Sequence, residues 1–156
     1  MRKALSSLAA LVTVAAIAVP VAAASGPSIE PVSAEDFVLP ADICGFEVVV
    51  EILGNKEKAI MFSDGRTMIT GMLKVRLTNL EDPTRSIVLN IPGPGSFDES
   101  GLTATGPWLF FFLPGELGEG SPAILAYTIG RVRIDETGFH QLSGTRTDLC
   151  PLLAST

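Results

Sequence analysis

Alternation of apolar and polar side chains with a period of two is the feature that most limits how this chain can fold. It is clearest in the segments FEVVVEIL (residues 46–53) and MLKVRLTNL (residues 72–80). This period is typical of a strand with one face buried and the other in solvent. The positions predicted to point inward are Phe46, Val48, Val50 and Ile52 in the first segment and Leu73, Val75 and Leu77 in the second.

Further strands are predicted towards the C-terminus, and turn sequences separate them. The turns GNKEK, SDGR, EDPT, PGPG, DESG and DETG supply Gly, Pro, Asn or Asp where the chain reverses. No segment after residue 25 has a helical period with caps. Short strands joined by tight turns predict an antiparallel all-β domain, either a barrel or a sandwich. The additional strands are predicted at residues 59–62, 66–70, 86–91, 102–105, 108–113, 123–134 and 139–143.

The N-terminus has the three parts of a secretory signal peptide. Arg2 and Lys3 precede an alanine-rich apolar run, and Ala22 and Ala24 form the A-x-A pattern that signal peptidase recognises. Residues 1–24 are therefore predicted to be a signal that is cleaved after Ala24. An uncleaved membrane anchor is the alternative, since the run is nearly long enough to span a bilayer. Cleavage predicts a secreted or cell-envelope protein whose mature form has no transmembrane segment.

Removal of the signal leaves a strongly acidic chain. Because Arg2 and Lys3 leave with it, nine basic residues remain against 17 acidic ones, a formal net charge of −8 over 132 residues. Such a chain lacks a basic patch for phosphate, which argues against nucleic acid and anionic membranes as partners. We divide it into an extended N-terminal arm (25–41), one β-barrel domain (42–150) and a C-terminal tail (151–156).

The only two cysteines, Cys44 and Cys150, flank the predicted core strands. In an oxidising compartment such a pair is predicted to form a disulfide, which closes a loop of 107 residues. A zinc site is disfavoured, because zinc takes about four N or S ligands and the chain has two Cys and one His. The bond would bring the first and last core strands together, as an up-and-down barrel requires. We therefore predict a small antiparallel β-barrel, with a β-sandwich as the alternative.

The segment GPWLFFFLPG (residues 106–115) is apolar on both faces of its predicted strand. Part of the outer surface of the sheet must therefore be covered. The cover is expected to be the arm or the tail, a second subunit in a homodimer, a different protein, an apolar ligand or a lipid surface. The residues of this predicted binding surface are Trp108, Phe110, Phe111, Phe112 and Tyr127.

The sequence contains no recognisable catalytic motif. His140 is the single histidine, and no G-x-S-x-G motif presents a serine to it. Glu47 and Glu51 share a strand face, but four residues of strand separate their Cα atoms by about 13 Å, too far for a glycosidase pair. Cross-strand ion pairs are predicted for them instead. No catalytic residue, metal ligand or cofactor is predicted.

Several short segments together resemble a group of small secreted actinobacterial proteins. They are DICGF, FSDGRTMITG, LTNL and the closing TDLC, with the alanine-rich signal before them. The resemblance covers residues 42–150 and implies the strands, turns and disulfide, without an activity.

Three functions stay open at this point. The first is an exported β-barrel module that binds an apolar small molecule or a partner protein. The second is a barrel-type isomerase or hydrolase that uses carboxylates, Tyr127 or His140. The third is a structural protein of the cell envelope. A roomy apolar cavity favours the first, converging carboxylate, Tyr or His side chains favour the second, and a filled core favours the third.

Overall fold

A computed structural model describes residues 26–155 of the chain. The signal peptide predicted for residues 1–24 lies outside the described residues. Eleven strands and two one-turn helices make up the described part. In chain order they are β1 (Ser28–Pro31), β2 (Phe37–Leu39), α1 (Ala41–Cys44), β3 (Val48–Asn55), β4 (Lys58–Met61), β5 (Thr67–Thr70), β6 (Leu73–Asn79), β7 (Ser86–Ile91), β8 (Gly95–Asp98), β9 (Gly101–Phe112), β10 (Ile124–Asp135), β11 (Gly138–Asp148) and α2 (Cys150–Leu153).

The strands form two antiparallel sheets. The larger sheet has seven strands in the order β1-β4-β5-β8-β9-β10-β11, and the smaller has four in the order β2-β3-β6-β7. Consecutive strands pair as hairpins in most of both sheets, which confirms the predicted all-β, antiparallel class. The chain crosses between the sheets several times, so the two sheets form one structural unit.

Most strands of the predicted domain lie where the alternating pattern predicted them, while β1 and β2 lie in the segment predicted to be an extended arm. The predicted strands 102–105 and 108–113 are one continuous strand, β9, and β11 extends to Asp148. β8 was missed because its residues were assigned to turns. Two short helices, α1 and α2, were also missed, since a single helical turn has no measurable period. The predicted SDGR turn is present, and its positive φ at Gly65 alone is that of a three-residue loop.

The disulfide predicted from the sequence is present and joins the two sheets. Cys44 ends α1, just before β3 of the smaller sheet, and Cys150 begins α2, just after β11 of the larger sheet. Their Cα atoms are 5.2 Å apart. The predicted closed barrel is not found among residues 26–155, because β3 and β11 belong to different sheets and neither sheet pairs its own edge strands. In place of a barrel, the described residues form two antiparallel sheets that share one apolar core.

The main apolar core lies between the sheets. The inward positions predicted for β3 and β6 are confirmed, since Val48, Val50, Val75 and Leu77 are at most 1 % exposed. β10 contributes Leu125 from the larger sheet. Residues just before β3 and just after β11 complete this core. They are Leu39, Ile43, Leu149 and Leu153.

A second apolar cluster covers the opposite face of the larger sheet. We call it the aromatic cluster: Trp108, Phe110 and Phe112 of β9 stack in a row, and Phe139 of β11 packs edge-on against Phe110. The guanidinium of Arg146 lies 5.1 Å from the centre of the Phe139 ring. One face of segment 106–115 contributes to the aromatic cluster, and Leu109 on the other face packs against the main core. This explains why the segment is apolar on both faces.

Glycines line up across three neighbouring strands of the larger sheet. Gly106, Gly130 and Gly144 are direct cross-strand partners, and all three have positive φ. A Cβ atom on Gly144 would lie 1.9 Å from the carbonyl oxygen of Ile129, and one on Gly130 would lie 2.2 Å from that of Ser143. The β10–β11 pairing at this row therefore requires glycine on both strands.

The residues of the predicted arm contribute a strand to each sheet. β1 pairs with β4 of the larger sheet, and β2 pairs with β3 of the smaller one. Residues 32–36 cross from one sheet to the other, and the Asp36 carboxylate accepts a hydrogen bond from the backbone N–H of Ile52 at 2.6 Å. The arm is thereby attached at both of its ends.

Candidate functional site

A cleft of about 450 Å³ lies between the two sheets beside the crossing arm. Strands of both sheets line it, and its wall on one side is the arm. We call it the inter-sheet cleft. Its lining residues are Val32, Ser33, Ala34, Glu35, Phe37, Val50, Ile52, Glu57, Ile69, Leu73, Val75, Ile91, Phe97, Trp108, Leu109 and Phe111.

Backbone hydrogen bonds hold the arm in place at the cleft. The N–H of Val32 donates to the carbonyl of Glu57 at 3.1 Å, and the side-chain amide of Asn55 donates to the carbonyl of Val32 at 2.7 Å. The Phe37 ring, further along the arm, lies 5.4 Å from the Phe111 ring of β9. The arm therefore forms a wall that is tied to both sheets.

The indole of Trp108 packs on the Gly93-Pro94-Gly95 backbone at the edge of the cleft. The indole N–H donates to the carbonyl of Pro94 at 3.2 Å. A Cβ atom on Gly93 or Gly95 would lie 2.5 Å from the indole. These two glycines, which the sequence placed in a turn, thus make room for the indole to pack on the backbone.

Glu57 is the half-buried carboxylate of the cleft. It lies in the turn between β3 and β4, and no described residue pairs with its side chain through a hydrogen bond or an ion pair. Burial raises the pKa of the Glu57 carboxyl above its ordinary value. Glu35, at the mouth of the cleft, is exposed. Both charged residues that line the cleft are acidic, and the rest of the lining is mainly apolar.

The raised pKa of Glu57 predicts a stability difference that depends on pH. Between its unfolded and folded pKa values this carboxyl holds more protons in the folded state, so stability falls as pH rises through that interval. The variant Glu57→Gln is expected to raise the free energy of unfolding at about pH 7. At about pH 3 it is expected to leave this free energy unchanged, because the protonated glutamic acid and the glutamine are both neutral. Urea denaturation at the two pH values measures this. Glu35→Gln is the exposed control, and an equal effect of both variants would contradict the assignment.

The structure separates the five residues of the predicted binding surface. Phe111 lines the inter-sheet cleft, and Trp108 lines the cleft while also stacking on Phe110 in the aromatic cluster. Phe110 and Phe112 belong to the aromatic cluster on the other face of β9. Tyr127 packs against the main core, and its hydroxyl donates to the carbonyl of Asn90 at 2.9 Å. β9 thus places neighbouring aromatic residues in two different environments.

His140 is part of a turn structure that does not resemble a catalytic triad. The Thr137 hydroxyl lies 2.8 Å from His140 Nε2 and 2.5 Å from the Asp135 carboxylate, and the same Nε2 lies 3.5 Å from that carboxylate. A triad instead needs the acid on the other ring nitrogen. Hydrogen bonds from Thr137, with Arg133 and His140 nearby, lower the pKa of Asp135 to about 2. This carboxylate therefore stays ionised and stabilises the turn.

The remaining carboxylates do not converge on a reactive centre. Glu51 forms the predicted cross-strand ion pair, with Arg76 at 3.3 Å, while Glu47 is exposed. A polar cleft of about 630 Å³ lies at the β8–β9 and β10–β11 turns, where Asp98, Glu99 and Glu136 face solvent. Within residues 26–155 no group of three or more His, Cys, Asp or Glu residues is arranged to hold a metal ion.

Sequence reasoning missed the residues that make the inter-sheet cleft distinctive. Glu57 was assigned to a solvated turn, and Phe97 and Gly95 lie in the unpredicted strand β8. The one available signal was the apolar content of the arm, which had suggested it as a cover for the sheet.

None of the helices found in residues 26–155 is of the length and apolarity needed to cross a membrane.

Comparisons with protein-family models, curated proteins and solved structures find no match to this chain. The function must therefore be argued from the cleft itself.

Proposed function

We propose that this chain is an exported protein that binds an apolar small molecule in the inter-sheet cleft. The single observation that carries the proposal is the cleft, whose volume of about 450 Å³ falls within the usual range for small-molecule sites. Its walls are mainly aliphatic and aromatic side chains from both sheets. A structural protein with a filled core has no need of such a space.

Export is supported by the disulfide and by the signal-like N-terminus of the sequence. The structure has a disulfide between Cys44 and Cys150. Structural disulfides persist in oxidising compartments and are rare in cytosolic proteins. The resemblance to small secreted actinobacterial proteins agrees with this part of the proposal. Binding is favoured over catalysis because, of the ionisable side chains described above, only Glu35 and Glu57 line the cleft, and the others lie in turns, ion pairs or the main core.

The proposal predicts that a neutral apolar dye binds the protein with a one-to-one stoichiometry. Titration with Nile red is expected to increase dye fluorescence and to change the emission of Trp108, the only tryptophan in the chain. The variant Ile69→Phe adds volume inside the cleft and is expected to weaken binding about tenfold, equivalent to about 1.4 kcal/mol. Ile129→Phe, on an exposed position of β10 outside the cleft, is the matched control.

Two results would contradict the proposed function. One is the absence of saturable dye binding to the oxidised, folded protein. The other is an equal loss of affinity in both variants, which would place the dye elsewhere. Native mass spectrometry of the exported protein gives an independent measurement, since a retained ligand adds its mass to the folded chain.

A further inference from the structure

We propose that the ligand of the inter-sheet cleft is a cationic amphiphile, with an apolar chain in the cleft and a protonated amine against the Glu57 carboxylate. This inference rests on the proposed function and narrows it to one class of ligand. It follows from the acidic charge of the cleft lining and from the lack of a partner for the half-buried Glu57 carboxylate.

The charge of the lining is of one sign. Two of the sixteen lining residues are charged, and both, Glu35 and Glu57, are carboxylates. The whole chain has a formal net charge of −6. A cation is therefore attracted to the cleft and an anion is repelled, both during approach and once bound.

Glu57 lacks the partner that a half-buried carboxylate usually has. Three other acidic side chains that are at least partly buried or hydrogen-bonded have a cationic partner: Glu51 pairs with Arg76, Asp64 with Arg66 and Asp135 with Arg133. The Glu57 carboxylate has lost part of its hydration, as the upward shift of its pKa also indicates, without gaining a hydrogen bond from a described residue. An ammonium group from a ligand supplies both the charge and the donor.

The surroundings of Glu57 favour an amphiphile over a small hydrated cation. Ile52, Leu73 and Val32 line the same cleft, so a ligand that reaches Glu57 also contacts apolar surface. A metal ion would need several oxygen ligands, and Glu57 and Glu35 do not belong to any three-membered group of metal-ligating side chains within residues 26–155. An amine on an apolar chain matches both features of the cleft.

The test compares three ligands that share one chain and differ in the head group: n-octylamine, 1-octanol and octanoate. Isothermal titration or displacement of Nile red at about pH 7 gives their relative affinities. A hydrogen bond to a charged group contributes about 1.5 to 3 kcal/mol, so octylamine is expected to bind at least about tenfold more tightly than octanol. Octanoate is expected to bind most weakly.

Substitution of the carboxylate then locates the preference. In Glu57→Gln, which keeps the shape of the side chain, octylamine and octanol are expected to bind with affinities within about twofold of each other, since the charged pair is gone. Glu35→Gln is the matched control, because it removes the same charge at the exposed mouth, and it is expected to retain most of the preference. Circular dichroism shows whether each variant remains folded, and the comparison of ligands on the unmodified protein does not depend on any variant.

The outcomes separate this inference from the proposed function. Equal affinities for octylamine and octanol on the unmodified protein, or a preference that persists in Glu57→Gln, would overturn the amine assignment while leaving the apolar cleft as a binding site. Absence of binding by every ligand and by Nile red would overturn both. A preference for octanoate would also overturn the inference, because the cleft would then have to attract an anion.

Discussion

Replacing Cys44 and Cys150 together with alanine is expected to lower the free energy of unfolding by about 4 to 5 kcal/mol. In the chain-entropy model, this is the conformational free energy by which the unfolded chain is stabilised when a closed loop of about 100 residues is opened. The loop here holds 107 residues, since the two cysteines are 106 positions apart. Urea denaturation of the oxidised, unmodified protein and of the double variant measures the difference.

The position of the bond adds a structural consequence. Cys44 leads into the smaller sheet and Cys150 follows the last strand of the larger sheet, so the cross-link holds the two sheets together at one end of the core. Reduction of the unmodified protein serves as the control, because it opens the bond and keeps both sulfur atoms. A loss below about 1 kcal/mol in both cases would show that the unfolded chain is already compact without the bond.

The variant Gly144→Ala is expected to lose about 3 kcal/mol, which is large for the addition of one methyl group. Gly144 has φ +82°, and the new Cβ atom would lie 1.9 Å from the carbonyl oxygen of Ile129. Backbone strain from positive φ contributes about 1 kcal/mol, and the remainder comes from pushing β10 and β11 apart. Thermal and urea denaturation measure the loss.

Gly115 provides a closely matched control for this experiment. Its φ is +81°, and a Cβ atom there would meet nothing within 4 Å. Gly115→Ala therefore carries the backbone strain alone and is expected to lose about 1 kcal/mol. If the two variants lose the same amount, the close approach of β10 and β11 at Gly144 does not affect stability.

The binding predictions depend on a part of the molecule that no single strand reveals. Trp108 and Phe111 were singled out because they are aromatic, and they do line the cleft. Phe110 and Phe112 were singled out for the same reason, and they belong to the aromatic cluster without lining the cleft. Aromatic content therefore identified the right strand, and the packing of both sheets decided which side chains reach the cleft.

The sequence by itself determined much of the local structure of this protein: most strands after residue 45, the inward faces of β3 and β6, most of the turns and the pairing of two cysteines. These follow from periods of two residues, from residues that tolerate tight turns, and from the small number of cysteines. Tertiary structure alone decided that β3 and β11 lie in different sheets and that the arm crosses between them. It also decided that Glu57, which resembles any solvated turn residue in sequence, is half-buried in an apolar cleft. The physical reason is that strand order and burial depend on contacts between residues far apart in the chain, which a local pattern does not encode.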